Sequence, residues 1–457
     1  MIEFDAIPDM PFTGQQTELC KTMIKIAKEC DSNACFLCRL HKKYKSIYII
    51  ASNFAGFKGD GIYEILGSDL ESLCSTITTQ KQNKFGNIRG NFFVSTIPIT
   101  DKDLNLFITL LTGDPLDKTL IPDFSELIDL INKNHYDYTT MIDHVERTPQ
   151  IMLDAYQNFM FTIERFDNDS LFEIVVCLFS QIIKRSQLDI DFETFVRFLY
   201  KIRSLYNDVP YHNWRHACDA CQFVYFALLQ KPIEHFIQPI DYFSLMTAAI
   251  CHDVGHNGRS NDFHRQVNSK YAQESGSNQP PLEYHHQKIT IEFLSNEFSK
   301  SIQTFNDETR RIYFKFVSNI ILATDMSKHQ DYIVSFNNIA GSYKDTEDER
   351  LLACQAIMKL ADLSNTCRPF GEAATMSAQL QEEWYTQGDE QLKRGLEITK
   401  GFDRNNKTPL PQGQVGFYKY VTLKLLLADQ KLFNAFDGCI QQFNTNLAEW
   451  EALCAQL

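Results

Sequence analysis

The 457-residue sequence has no run of 18 or more apolar residues, the length a helix needs to cross a bilayer, so no membrane span is predicted. Positive charge is not in surplus. Lys and Arg number 44 against 58 Asp and Glu, and a net charge of −14 excludes a general binder of nucleic-acid backbones. A small anionic ligand would then need local positive charge, which bound metal ions can supply. The opening residues, MIEFDAIPDM, lack a basic segment followed by an apolar one, so no secretory signal is expected. The 13 cysteines are odd in number and scattered, which fits reduced thiols in the cytoplasm. Cys35 and Cys38 form a CxxC with no second pair to complete a zinc set, and read as buried thiols; Cys218 and Cys221 read as packing residues. Internal repeats are lacking. The last residues, Cys454-Ala455-Gln456-Leu457, have the outline of a prenylation box, but Gln456 is not aliphatic and the preceding NTNLAEWEAL is acidic, so an ordinary helix end is expected there in preference to a lipid anchor at Cys454.

What is present divides the chain. The length fits two domains and a connector. Residues 12–28 have helical spacing. ACFLCRL, SIYIIASN, GIYEIL and NFFVSTIPI are then short β-branched or aromatic runs between polar turns, LNLFITLLTG follows, and residues 122–133 return to helical spacing. Residues 1–134 are thus expected to be a small α+β domain. Residues 135–164 read as a helical connector, in which one helix either pairs with its mate in a second copy or lies on its own domain. Beyond it helix periodicity recurs over 171–185, 191–206, 214–229, 242–252, 287–298, 307–323, 347–360, 373–387 and 415–428, with 257–281 as a polar loop. Residues 165–457 are therefore expected to be all-α.

The helical part carries the chemistry. In YHNWRHACDACQ, His212 and His216 stand four residues apart at a helix start, a spacing that puts both on one face. ICHDVGHNG supplies His252, Asp253 and His256, and KLADLSN supplies Asp362. His216, His252, Asp253 and Asp362 are a mixed nitrogen and oxygen set suited to divalent cations, and if Asp253 bridges, a second cation sits nearby. Two such ions, about 3.5–4 Å apart, share a water, lower its pKa and neutralise phosphate oxygens. The second ion would keep most of its waters, as Mg²⁺ prefers. His256, Glu283, His286 and Thr324 are the polar residues placed to hold those waters. His212, paired with a carboxylate for which Glu383 is the candidate, would give a proton to the departing alkoxide.

Residues 165–457 resemble the catalytic domain of the class I cyclic nucleotide phosphodiesterases, because YHNWRHACD, ICHDVGHNG, LEYHH, ILATDMSKH, KLADLSN, EEWYTQGD and QGQVGF occur in that family's order. The resemblance implies a metal-dependent phosphohydrolase of the HD type that hydrolyses 3',5'-cyclic nucleotides to 5'-monophosphates by a metal-bridged hydroxide. It implies Zn²⁺ at the four ligands and Mg²⁺, with Mn²⁺ as an alternative, at the second position, the water-shell and acid roles falling on the residues just named. It further implies substrate contacts at Tyr211 and Asn365, a purine-reading Gln414, and Leu380 and Phe417 as the jaws that hold the base. Gln414 alone does not choose a purine, since an amide can flip. Asn365 resembles the asparagine of the cAMP-selective members, so cAMP is the expected preference. Ala373 is small where those members have a tyrosine at the pocket wall, which would widen the pocket toward cGMP. The N-terminal order of elements resembles a GAF domain, implying a regulatory module and a homodimer through it and the connector; Asn83-Lys84-Phe85 carries little weight in that resemblance. Two other readings compete: an HD-type hydrolase of nucleoside triphosphates or alarmones, and a cyclic-nucleotide sensor without turnover, whose mark would be a lost ligand or acid.

Overall fold

The computed structural model describes residues 148–457 apart from 407 and 457, the backbone of six strands between Ser32 and Thr112, and the isolated Lys25 and Val145. The chain forms two compact units, Met1–Asp137 and Tyr138–Leu457.

The described part of the first unit is an antiparallel sheet of order β3-β2-β1-β6-β5-β4. Its strands are β1 (Ser32–His41), β2 (Ser46–Ser52), β3 (Ile62–Glu64), β4 (Ile77–Gln82), β5 (Asn91–Pro98) and β6 (Leu106–Thr112). β1 and β6 lie side by side in the middle, with Cys35 opposite Leu110 and Leu37 opposite Ile108. These are the apolar runs ACFLCRL and LFITLLT, as suits strands with a neighbour on each side. β4, ITTQKQ, has no apolar run and among the described residues pairs only with β5. An edge strand is free to be polar, and a lysine there blunts pairing with another chain; for that reason periodicity gave no sign of it. Of the helix expected over 12–28 only Lys25, which is helical, is described; that expected over 122–133, and Asn83-Lys84-Phe85, lie outside the described residues.

The second unit contains no strand among its described residues. Helices occupy the expected stretches with shifted ends: Asn168–Ser186, Phe192–Ser204, Trp214–Leu228, Pro239–Cys251, Pro281–Ser295, Asp307–Leu322, Glu347–Asp362 and Phe370–Lys393. The stretch 257–281 is not a loop throughout. It holds two short helices, Asn261–Gln266 and Lys270–Ser275, each started by a serine whose side chain accepts a backbone N–H, Ser260 from Phe263 and Ser269 from Ala272. Such caps stabilise a turn or two without an apolar stripe, so periodicity does not reveal them. The helix expected from 287 begins at Pro281, which fits a first-turn position because its missing N–H is one no helix could satisfy there. The helix expected over 415–428 is Leu410–Phe417, a π-helical turn Tyr418–Thr422 and Leu423–Phe433. His329–Ile339 and Asp437–Cys454 are further helices that periodicity did not single out.

The core is aromatic. Phe179, Phe195 and Phe243 lie within 4.8–6.2 Å of one another, Phe243 stacks on Tyr313, and all four are fully buried. Each such ring contributes about 1.5–3 kcal/mol over its exposed state. A second set of contacts ties the end of the helix Gln150–Tyr156 and the non-helical strap after it to the helix that bears His216. Gln222 donates to the carbonyls of Tyr156 (2.7 Å) and Asn158 (3.0 Å), and Arg215 to those of Ile163 and Phe166 (both 2.8 Å). Glu372 accepts the Ile163 N–H at 3.1 Å. Arg368 donates to the Phe159 carbonyl and pairs at 2.8 Å with Asp219, one turn below His216. A strap without helical bonds must find partners for its backbone groups, and here buried side chains supply them.

Candidate active site

Asn213 starts the Trp214–Leu228 helix, its side chain accepting the Arg215 N–H at 2.8 Å. His216 is therefore in the first turn, but His212 lies before the cap, so the two do not share a helical face as their spacing suggests. They meet differently: Glu383 Oε2 accepts the N–H groups of Tyr211 (3.0 Å) and His212 (3.1 Å) and folds that segment back, leaving the rings of His212 and His216 5.7 Å apart.

His252 follows the last residue of Pro239–Cys251, and a turn then carries Asp253 to His256, whose N–H donates to the Asp253 carbonyl at 2.9 Å. Gly255 closes this turn at φ +79°, a conformation that favours glycine. Gly258, at φ +70°, lies where a side chain would press within 3.2 Å of Glu383. Asp362 is the last residue of Glu347–Asp362.

These elements bring His216, His252, Asp253 and Asp362 together. The two Nε2 atoms are 3.2 Å apart; Asp362 Oδ1 lies 3.1 Å from His216 and 3.4 Å from His252, and Asp253 Oδ2 lies 3.1 Å from His252 and 3.4 Å from His216. His252 Nδ1 faces the Ala249 carbonyl at 2.8 Å, so the proton of the neutral ring is there and Nε2 turns a lone pair inward. Burial opposes charge on His252, yet Asp253 and Asp362 draw its pKa well above the ordinary value. Burial likewise opposes charge on the two acids, while the histidines hold both below the usual carboxylate range. Lone pairs converging at this distance require positive charge among them. Two imidazole nitrogens and two carboxylate oxygens are a donor set that fits a borderline divalent cation such as Zn²⁺.

Beside the cluster, His286 Nδ1 bonds the Val254 carbonyl at 2.7 Å, so the Nε2 of the neutral ring is bare; it is buried, has no hydrogen-bond partner, and lies 3.7 Å from Asp253 Oδ1. Burial lowers its pKa to about 4. Two acceptors this close to each other, one of them bare, suit a water bound to a cation beside them. His256 accepts the Gly258 N–H at Nδ1 (3.0 Å), and burial, with His212 beside it, holds its pKa well below the ordinary value. Glu283 has a pKa pushed up to about 7 by burial, and Thr324 is buried with its hydroxyl on the Ile321 carbonyl.

His212 and Glu383 form the second feature. Nδ1 and Oε1 are 2.5 Å apart, and the His212 ring stacks on that of His256 at 4.3 Å. Burial alone would lower the His212 pKa, but the carboxylate raises it to about 9, while Glu383 is held at about 2 against its own burial by His212. A histidine so paired is protonated at neutral pH.

The expected base-binding residues are less tied together. Tyr211 packs its ring 4.7 Å from that of His216. Asn365 and Gln414 are buried, Leu380 and Phe417 partly so, and Gln414 Oε1 has no hydrogen-bond partner. Leu380 precedes Glu383 by one turn of the same helix. Ala373 has no exposed surface and follows Glu372, whose carboxylate accepts the Ile163 N–H.

Residues without a signal in the sequence also serve. One amide of Asn261 accepts the Leu282 N–H and donates to Glu283, both at 2.8 Å, fixing the helix start and the carboxylate together. Asn207 donates to the His256 carbonyl at 2.9 Å. Lys359, buried one turn before Asp362, donates to the Ala323 carbonyl at 2.9 Å, beside Thr324. Their partners are remote in sequence, so spacing does not point to them.

The family description "3'5'-cyclic nucleotide phosphodiesterase" matches residues 211–443. A Drosophila mojavensis protein named "cGMP-specific 3',5'-cyclic phosphodiesterase" is 26% identical over 372 residues, covering 77% of this chain and 33% of that protein. A Dictyostelium discoideum protein named "cGMP-specific 3',5'-cGMP phosphodiesterase 3" is 28% identical over 284 residues, covering 62% and 60%. The chain thus spans about a third of the Drosophila relative's length. Among solved structures, the phosphodiesterase domain of the RhoPDE fusion protein from Salpingoeca rosetta matches with a TM-score of 0.62 at 26% identity, over 66% of this chain and 96% of that one.

Proposed function

The chain belongs to the 3'5'-cyclic nucleotide phosphodiesterase family, and on that premise we propose that its helical unit hydrolyses 3',5'-cyclic nucleotides to 5'-nucleoside monophosphates. The observation that carries the reading is the four-donor cluster standing next to a protonated His212–Glu383 pair. His216, His252, Asp253 and Asp362 would hold Zn²⁺, and Asp253, with waters oriented by His256, Glu283, His286 and Thr324, would hold Mg²⁺ or Mn²⁺. Bound there, the cations supply an acidified water and neutralise charge on the phosphate.

The chain's own part is proton transfer and orientation. As water attacks phosphorus and the bond to O3' breaks, the leaving alkoxide needs a proton. Glu383 accepts a hydrogen bond from Nδ1–H of the protonated His212, which leaves Nε2–H free to pass to the alkoxide. Asp253 and Asp362 stay ionised, and the bare Nε2 of His286 can orient water. At the base end, Gln414 would read the purine between Leu380 and Phe417, with Tyr211 and Asn365 lining the approach. Asn365 carries the cAMP preference. The relatives' names give that preference no support, and Gln414's unpinned amide can meet either purine by rotating. A sensor without turnover would have lost a ligand or the acid, and each of these residues is in place.

The wider reading makes residues 1–134 a GAF-like regulatory domain in a cytoplasmic enzyme, coupled through 135–164 and paired with a second copy. Deleting 1–134 should then change the basal rate and the oligomeric state, read by assay and by light scattering. No helix among the described residues is long and apolar enough to cross a membrane. The central test is turnover of cAMP and cGMP side by side with Mg²⁺ and after chelation. Metal-dependent release of a 5'-monophosphate supports the mechanism; equal rates on both discard the Asn365 preference; no release of either overturns the reading.

A further inference from the structure

The turn that follows Asp362 is held from two sides at one atom. The carbonyl of Thr366, next to Asn365, accepts from the Tyr418 hydroxyl (3.3 Å) and from Asn446 Nδ2 (2.9 Å). A carbonyl has two lone pairs, and both are used. Asn446 Nδ2 also donates to the Arg368 carbonyl at 2.8 Å, and its Oδ1 accepts from Gln442 at 2.9 Å, so the amide cannot rotate without losing bonds. Tyr418, Thr366 and Asn446 are fully buried, and the Tyr418 ring stacks on Phe443 at 4.8 Å.

Each donor belongs to a different element. Tyr418 directly follows Phe417 and opens the π-helical turn Tyr418–Thr422, so it is one turn beyond Gln414. π-helical turns are rare and concentrate at functional sites, where the extra residue shifts the phase of the helix beyond it. Asn446 lies on Asp437–Cys454, past residue 443 where the family match ends. The same carbonyl therefore ties the Asn365 turn to the helix of Gln414 and Phe417 and to the C-terminal helix. Gln414 has no hydrogen bond at Oε1, so no bond at that atom fixes its distance from Asn365.

We propose that Tyr418 and Asn446 are positioning residues of the base pocket, fixing through the Thr366 carbonyl the spacing between Asn365 and the Gln414–Phe417 wall. The proposal rests on the base-binding role given to those walls under the proposed function. A clasp of this kind acts on binding of the purine and leaves the phosphate chemistry in place, because the metal ligands and His212 make no bond to it.

The test is steady-state kinetics of the full chain with Mg²⁺ on cAMP and on cGMP, for wild type, Tyr418→Phe and Asn446→Asp, with bound metal and Tm measured on each. Tyr418→Phe keeps the buried ring and removes the hydroxyl that donates to the Thr366 carbonyl. It is expected to raise KM about five-fold with kcat within about two-fold and metal content unchanged. Asn446→Asp sets an acceptor against two carbonyls and is expected to raise KM further. A fall in kcat or Tm at unchanged KM marks a merely structural role and overturns the proposal, as does a Tyr418→Phe enzyme identical to wild type. Should Asn446→Asp fail to fold, Tyr418→Phe decides alone. If wild type turns over neither nucleotide, the proposed function itself falls and this inference with it; if wild type is active and only the KM shift is missing, this inference alone falls.

Discussion

The phosphate end and the base end of the site are built on opposite principles. At the phosphate end each ring or carboxylate is pinned at one atom: His252 by Ala249, His286 by Val254, His256 by Gly258, Glu283 by Asn261, His212 by Glu383. Each tautomer and ring orientation follows from a backbone or carboxylate partner. At the base end Gln414 Oε1 has no partner and the expected jaws are partly exposed. Developing charge needs groups already in place, since reorganising them during the reaction costs rate. A flat base is held mostly by shape, and an amide free to turn can meet more than one hydrogen-bond pattern.

The contrast can be broken most sharply at Asp362. Asp362→Ala leaves two imidazole nitrogens and one carboxylate, and bound metal measured by elemental analysis should fall to background with turnover. Retention of full metal would remove the cluster from the phosphate end. Next is His212→Ala, expected to lower kcat about 10²–10⁴-fold with metal content near wild type. Equal metal loss would show that His212 belongs to the cluster and not to acid chemistry.

The pH profile sharpens the same point. His212 has a pKa raised to about 9, so its proton is present through neutrality and lost as pH rises through that value. Glu383→Gln removes the raising charge, and the alkaline limb of kcat should move toward the ordinary histidine value of about 6.5. An unmoved limb would mean that another group sets it.

Smaller effects fall on the supports. Asn261→Leu deprives Glu283 of its donor and should weaken divalent-metal affinity about ten-fold, read by titrating metal into stripped protein. Smallest in kcat is Gln414→Leu, which should raise KM about ten-fold with little change in turnover number. A kcat loss as large as that of His212→Ala would mean that the two ends are not separate.

The residues of the phosphate end were legible because histidines stood four apart in YHNWRHACD and in ICHDVGHNG, with aspartates beside them or in KLADLSN. His216, His252, Asp253 and Asp362 meet as the sequence suggested, and His212 meets Glu383 across 171 residues. Legibility failed where a role depends on a common residue type. Asn261, Asn207 and Lys359 look like ordinary polar residues of a loop or helix, and only their partners distinguish them. It failed as well where a cap outweighs periodicity, at Ser260 and Ser269, and at strand β4, whose edge position permits a polar sequence.

The sequence by itself determined the helical class of the second unit and the make-up of the His216, His252, Asp253 and Asp362 cluster, whose donors suit a cation, because apolar period and donor chemistry are local properties of residues. The tertiary structure alone decided that His212 lies outside the His216 helix, that Ala373 is wholly buried, and that Thr366 is a shared acceptor. Those facts depend on which backbone group of one element meets which side chain of another. Such pairings are selected by the burial of the whole core, and no local pattern records them.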